Sequence, residues 1–306
     1  MRRLGSILFL AIVIGGCSAP TSSGSAVVTA HTSTPWPTEP ISTPTPSDGA
    51  LDHATGRADV LLRFDAGYSD YGLCELCGGW GSFQPAPEFT LYGDGTVIVR
   101  NTLAPTPPAE GPIIRAQPFM IGHLDQDRVQ DILRFALVEG GLADARERYE
   151  TSTDTDDPGF SAFIIRAGTV DKRIEIDGTP NPFDTLRDHL LDLTQRAGVK
   201  TEIFKSERYQ GLLIEVGTWM DLGLLPDPPD TMIVSWPWQD IGPEDFTGPA
   251  APDSGRRTMT RDEAAVLGLS ENGGVVQRIY VRGPDGVTLY SFSLWPTLPD
   301  EMVPAA

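Results

Sequence analysis

The chain has 306 residues, with 42 acidic and 23 basic side chains, a formal net charge of -19 and 40% apolar residues. That length is enough for two domains of ordinary size. A chain this acidic has no basic face to offer a phosphate backbone and gains nothing from an anionic membrane surface, so nucleic acid is not an expected partner.

The chain opens with Met1-Arg2-Arg3, continues through an apolar run from Leu4 to Ile14, and reaches Cys17 by way of Gly15-Gly16. A charged start, a short apolar run and small residues make a signal-peptide layout. The run falls short of the roughly 20 residues that a membrane-crossing helix needs. Ile14-Gly15-Gly16-Cys17 resembles the bacterial lipobox, which implies a signal peptide over 1–17 and lipid on Cys17. Without Arg2 and Arg3 the balance becomes 42 acidic against 21 basic residues, net -21. Lipid, at about 0.8 kcal/mol per buried CH₂, would then hold the protein on the outer face of the cell membrane. Cleavage near Ala19 is the alternative, and it would release a secreted protein.

Residues 18–56 are rich in Ser, Thr, Pro and Gly, with runs such as Thr43-Pro44-Thr45-Pro46, and read as an extended tether that cannot bury a core. Two α+β pieces are expected after it, over 57–198 and 199–306, the second smaller and rich in loops. In the first, Val60, Leu62 and Phe64 alternate with Leu61, Arg63 and Asp65, the period of a half-buried strand. Phe89 to Tyr92 and Thr96 to Val99 flank Gly93-Asp94-Gly95, a hairpin signature. Val129, Ile132, Leu133 and Ala136 recur at helical spacing after a capping Asp125, with Gly140-Gly141 to end the helix. Two strands follow, 160–166 and 169–177, and then a helix carrying Phe183, Leu186, Leu190 and Leu193 on one stripe, with Asn181 and Pro182 at its start and Gly198 beyond its end. This order predicts an antiparallel sheet with helices on one face.

In the second piece, 212–217 and 232–236 read as strands, and 260–268 as a short helix opened by a Thr260/Glu263 capping box. The last element is a hairpin in which 275–282 and 287–294 flank Gly283-Pro284-Asp285-Gly286.

Pro87-Glu88-Phe89-Thr90-Leu91-Tyr92-Gly93-Asp94-Gly95-Thr96-Val97 resembles a motif of lipoproteins from GC-rich bacteria to which no activity is assigned, and Trp295-Pro296-Thr297-Leu298-Pro299-Asp300-Glu301 resembles the end of the same proteins. The order of elements is also similar to a bacterial domain of unknown function with a cysteine pair ahead of a Gly-Asp-Gly hairpin. Here that pair has different spacing and lacks the following proline. The resemblance implies a lipoprotein of α+β fold and carries over no catalytic residue.

Cys74 and Cys77 form the most specific local feature. With Cys17 lipidated they are the only pair left, and an exported location favours a disulfide. Redox and metal roles stay open beside it, although Gly78-Gly79-Trp80-Gly81 makes a poor helix start and no paired histidines supply further zinc ligands. Asp154, Asp156 and Asp157 read as a solvated acidic loop rather than a calcium loop. Ser161, in Gly159-Phe160-Ser161-Ala162-Phe163, lacks the second glycine of a nucleophile elbow, and any serine triad would have to use His53, His123 or His189. Trp236, Trp238 and Trp80 are candidate binding aromatics, with core packing the ordinary alternative. No catalytic residue, metal or cofactor is expected. These features suggest an envelope lipoprotein that binds an envelope protein or an extracellular ligand. The rivals are a hydrolase with a site assembled from scattered residues and an inhibitor of a secreted enzyme.

Overall fold

The computed structural model describes residues 49–68, 87–105, 107–109, 111–150, 159–178, 180–193, 198–216, 228–247, 254–268 and 275–302. Cys17, Cys74, Cys77, Trp80, Asp154, Asp156 and Asp157 lie outside them. The described residues belong to one compact unit of α+β class.

The alternating run becomes β1 (Val60–Tyr68), but its phase shifts at the start. A bulge between Val60 and Leu62 sends Val60 to one face of the sheet, while Leu62 and Phe64, joined by Leu61, pack on the other. One extra residue against the partner strand suffices to break the two-residue period.

The Gly-Asp-Gly hairpin pairs β2 (Phe89–Tyr92) with β3 (Thr96–Val99). Both glycines are needed there. Gly95 takes φ 88°, and a Cβ on it would strike the carbonyl of Leu124, as one on Gly93 would strike that of Ala54. Asp94 steadies the turn by accepting the Thr96 amide at 2.8 Å.

Next come β4 (Ile114–Ala116), β5 (Met120–His123) and α1 (Gln126–Leu137). Asp125 caps α1 by accepting the Arg128 amide, and Gly141 lies beyond it at φ 73°. After β6 (Arg148–Glu150), β7 (Gly159–Ala167) and β8 (Val170–Asp177) form the second hairpin about Gly168. α2 (Asp184–Leu191) starts after Asn181, whose side chain accepts the Phe183 amide.

These strands other than β4, together with β9 (Thr201–Ile203), form an eight-stranded sheet, ordered β6-β8-β7-β1-β2-β3-β5-β9, antiparallel except for β6 against β8. α1 and α2 contribute Val129, Leu133, Leu186 and Leu190 to an apolar core with Phe64, Phe89 and Phe163 of the strands. His189 stacks on Phe135, ring centroids 3.9 Å apart, within this helical layer. Leu51, from the end of the Ser/Thr/Pro stretch, exchanges two hydrogen bonds with the Gln130 side chain of α1.

The second sheet holds β10 (Arg208–Glu215), β11 (Ile233–Ser235), β12 (Ser254–Thr260), β13 (Val275–Arg282) and β14 (Leu289–Pro296), ordered β11-β13-β14-β10-β12. β4 joins as a sixth strand on β13, so the chain before residue 199 supplies the second sheet and the chain after it supplies β9 to the first. α3 (Arg261–Ala265) follows β12 and carries the Thr260/Glu263 capping box. Its Ala264 packs with Met259, Phe292 and Trp238.

Candidate functional site

The face of the first sheet away from the helices carries a compact polar cluster. It is built on β1 and β2, the strands on either side of the pairing between Arg63 and Thr90. Arg63 and Asp65 project from alternate positions of β1, and Tyr92 ends β2 at the edge of the Gly-Asp-Gly turn.

Tyr92 is fully buried, so its hydroxyl needs a partner inside the protein. That partner comes from the other end of the chain, where Pro299 to Met302 form a single turn of 3-10 helix. Asp300 Oδ1 accepts from the Tyr92 hydroxyl at 2.8 Å and from Arg63 Nη2 at 2.7 Å. Arg63 Nε also reaches Thr90 Oγ1 at 3.3 Å. The turn is pinned by Glu301, which accepts the Leu298 amide at 2.9 Å, and by Ser206, which donates to the Thr297 carbonyl at 2.8 Å. Leu298 packs beneath it on Val60, Ile98, Phe119 and Phe204. Trp295 touches both this layer and the apolar residues Leu212 and Ile214 of the second sheet. The segments 87–97 and 295–301 therefore meet in one cluster.

The charges within it are unequally served. Arg63 loses by burial, yet Asp300 beside it, with Tyr92 and Asp65, holds its pKa above the ordinary value. Burial and the Asp300 charge push the Tyr92 phenol up, so it stays a neutral donor. Asp65 is less well provided for. One of its oxygens is buried with no hydrogen-bond partner among the described residues, and the other lies 4.0 Å from Arg173, whose Nε is bonded to Glu175 at 2.9 Å. Burial pushes the Asp65 carboxyl up to about 6, with Arg63 and Arg173 pulling back and Asp300 and Glu301 adding to the rise. Burial also raises Glu301. An acid on the same sheet, Glu88, is raised by burial but has Arg100 at 3.6 Å and the Thr102 hydroxyl at 2.9 Å.

This arrangement binds two parts of the chain together, because its strongest donors are spent on Asp300. Asp65 is the carboxyl of the cluster that has a buried oxygen without a hydrogen-bond partner among the described residues. Sequence reading placed Arg63 and Asp65 on the polar side of a strand and quoted both Tyr92 and Asp300, but nothing local shows that Arg63 and Asp300 meet across 237 positions.

The other sequence candidates fall elsewhere. Trp238 is buried in the second core, and its indole donates to the Glu263 carbonyl at 2.9 Å. Trp236 is partly buried, donates to the Ile241 carbonyl at 2.6 Å, and meets Trp238 edge-on with centroids 5.2 Å apart. Ser161 accepts from the Asn181 amide at 2.9 Å, a contact that fixes the entry to α2. His53, His123 and His189 lie, respectively, before β1, on β5 and on α2. Among the described residues no group of three or more His, Cys, Asp or Glu side chains is placed to hold a metal ion, and no helix is long and apolar enough to cross a membrane.

No family model, curated protein or solved structure matches the chain.

Proposed function

We propose that the protein is an exported lipoprotein, held on the outer face of the cell membrane by lipid on Cys17, whose folded part binds another envelope protein or an extracellular ligand. The observation that carries this reading is Ile14-Gly15-Gly16-Cys17 directly after a charged start and a short apolar run. The Ser/Thr/Pro stretch that follows suits a spacer between bilayer and folded unit. Cells fed labelled palmitate should label the wild-type chain and not Cys17→Ala. Equal labelling of both would remove the anchor from this account.

One observation favours the hydrolase rival. The Asp65 carboxyl, held at about 6, lies in the range where a carboxyl serves as a general acid or base. Turnover of an ester, glycoside or peptide substrate by the wild type, lost in Asp65→Asn, would favour that rival over the binding role.

A further inference from the structure

We infer that the C-terminal turn, Leu298 to Met302, is a pH-responsive clasp that holds to the first sheet in mild acid and loosens near neutrality. The charges of three carboxyls, Asp65, Asp300 and Glu301, bear on Arg63, and of these Asp300 is bonded to it, at 2.7 Å, while Thr90 accepts from its Nε. Asp65 stands two residues along the same strand, with one buried oxygen that has no hydrogen-bond partner among the described residues.

The surrounding charges leave it in that position. Arg173, on β8, is 4.0 Å away and shared with Glu175. Opposite Asp65 on β7 is Ala162, which has no charge to offer. Glu88, just before β2, is occupied by Arg100 and Thr102, and Glu301 is engaged with the Leu298 amide and faces Arg256. Tyr92, the remaining titratable group, stays neutral and donates to Asp300.

An ionised Asp65 therefore competes with Asp300 for Arg63 and repels both acids of the turn. When protonated it does neither. Burial raises its pKa to about 6 in the closed form, and the charges of Asp300 and Glu301, which leave when the turn does, add to that rise, so the closed form binds the proton more tightly. Closure is then favoured below about pH 6, and the advantage is lost as pH rises through that value. The inference does not depend on the lipid anchor or on the binding role.

The test is hydrogen exchange on the full chain at about pH 5 and about pH 8, corrected for intrinsic rates. The Tyr92 hydroxyl and Arg63 guanidinium protons, bonded to Asp300 between the sheet and the turn, report on the clasp. Their protection should fall by up to about tenfold at the higher pH in the wild type and stay level in Asp65→Asn. Unchanged wild-type protection, or an equal fall in Asp65→Asn, would overturn the clasp. Should that variant fail to fold, the Asp65 carboxyl resonance of the wild type decides. A midpoint near 6 supports the inference, and one near the ordinary value of about 4 overturns it.

Discussion

The two faces of the first sheet are covered in different ways. On one, α1 and α2 lay down apolar side chains at helical spacing, and Val129, Leu133, Leu186 and Leu190 are announced by that local pattern. On the other, the cover includes a segment more than 200 positions downstream, which packs Leu298 on an apolar layer and presents one carboxylate that accepts from both Arg63 and Tyr92. The apolar face tolerates small geometric changes because burial is non-directional, whereas the polar face depends on a few directed bonds whose loss strands a buried charge. The same contrast appears between two acids on that sheet: Glu88 has both a cation and a hydroxyl, while Asp65 has an oxygen without a partner among the described residues.

Substitutions can sharpen this contrast. The largest effect should come from the helix-covered face. Phe163 is fully buried between Phe64 and Phe183, with centroids at 4.7 and 5.7 Å, and Phe163→Ala should cost about 4 kcal/mol in urea unfolding. A loss below about 1 kcal/mol would show that this core is loosely packed. The smallest effect belongs to helix capping. Asp125→Ala removes the acceptor for the Arg128 amide and should cost about 1 kcal/mol, without altering the exchange of the C-terminal turn. A change in that turn would mean that the two faces are coupled through α1.

What the sequence made legible divides along the same line. Both central hairpins, the Asp125 cap, the Thr260/Glu263 box and the final hairpin are encoded in short local stretches, and they stand where the patterns put them. The last hairpin's second strand starts at Leu289 rather than 287, because Asp285 holds the Val287 and Thr288 amides in the turn. Short strands were not legible. β4, β6 and β9 have three residues each, too few to show a period, and they exist because β13, β8 and β5 offer them an edge. The parallel pairing of β11 on β13 is equally invisible from either segment alone.

The site was legible in its parts and not in its assembly. Tyr92 and Asp300 each lie in a segment singled out for its resemblance, yet a fully buried phenol can be matched to its acceptor only once the fold brings the chain end across the sheet. Trp238 shows the converse. Its neighbourhood, Trp236-Pro237-Trp238, looks suited to contact a ligand, and the ring is instead packed against Phe246 and Phe292 with its N–H satisfied internally.

Arg63 and Asp300 lock the turn at 299–302 to the first sheet, and a double-mutant cycle tests this lock most directly. Arg63→Met and Asp300→Leu should each cost about 3 kcal/mol, since either leaves the other charge largely buried without its main partner. The double variant should lose at least about 2 kcal/mol less than the sum of the two. Single losses that add within about 0.5 kcal/mol would contradict the lock.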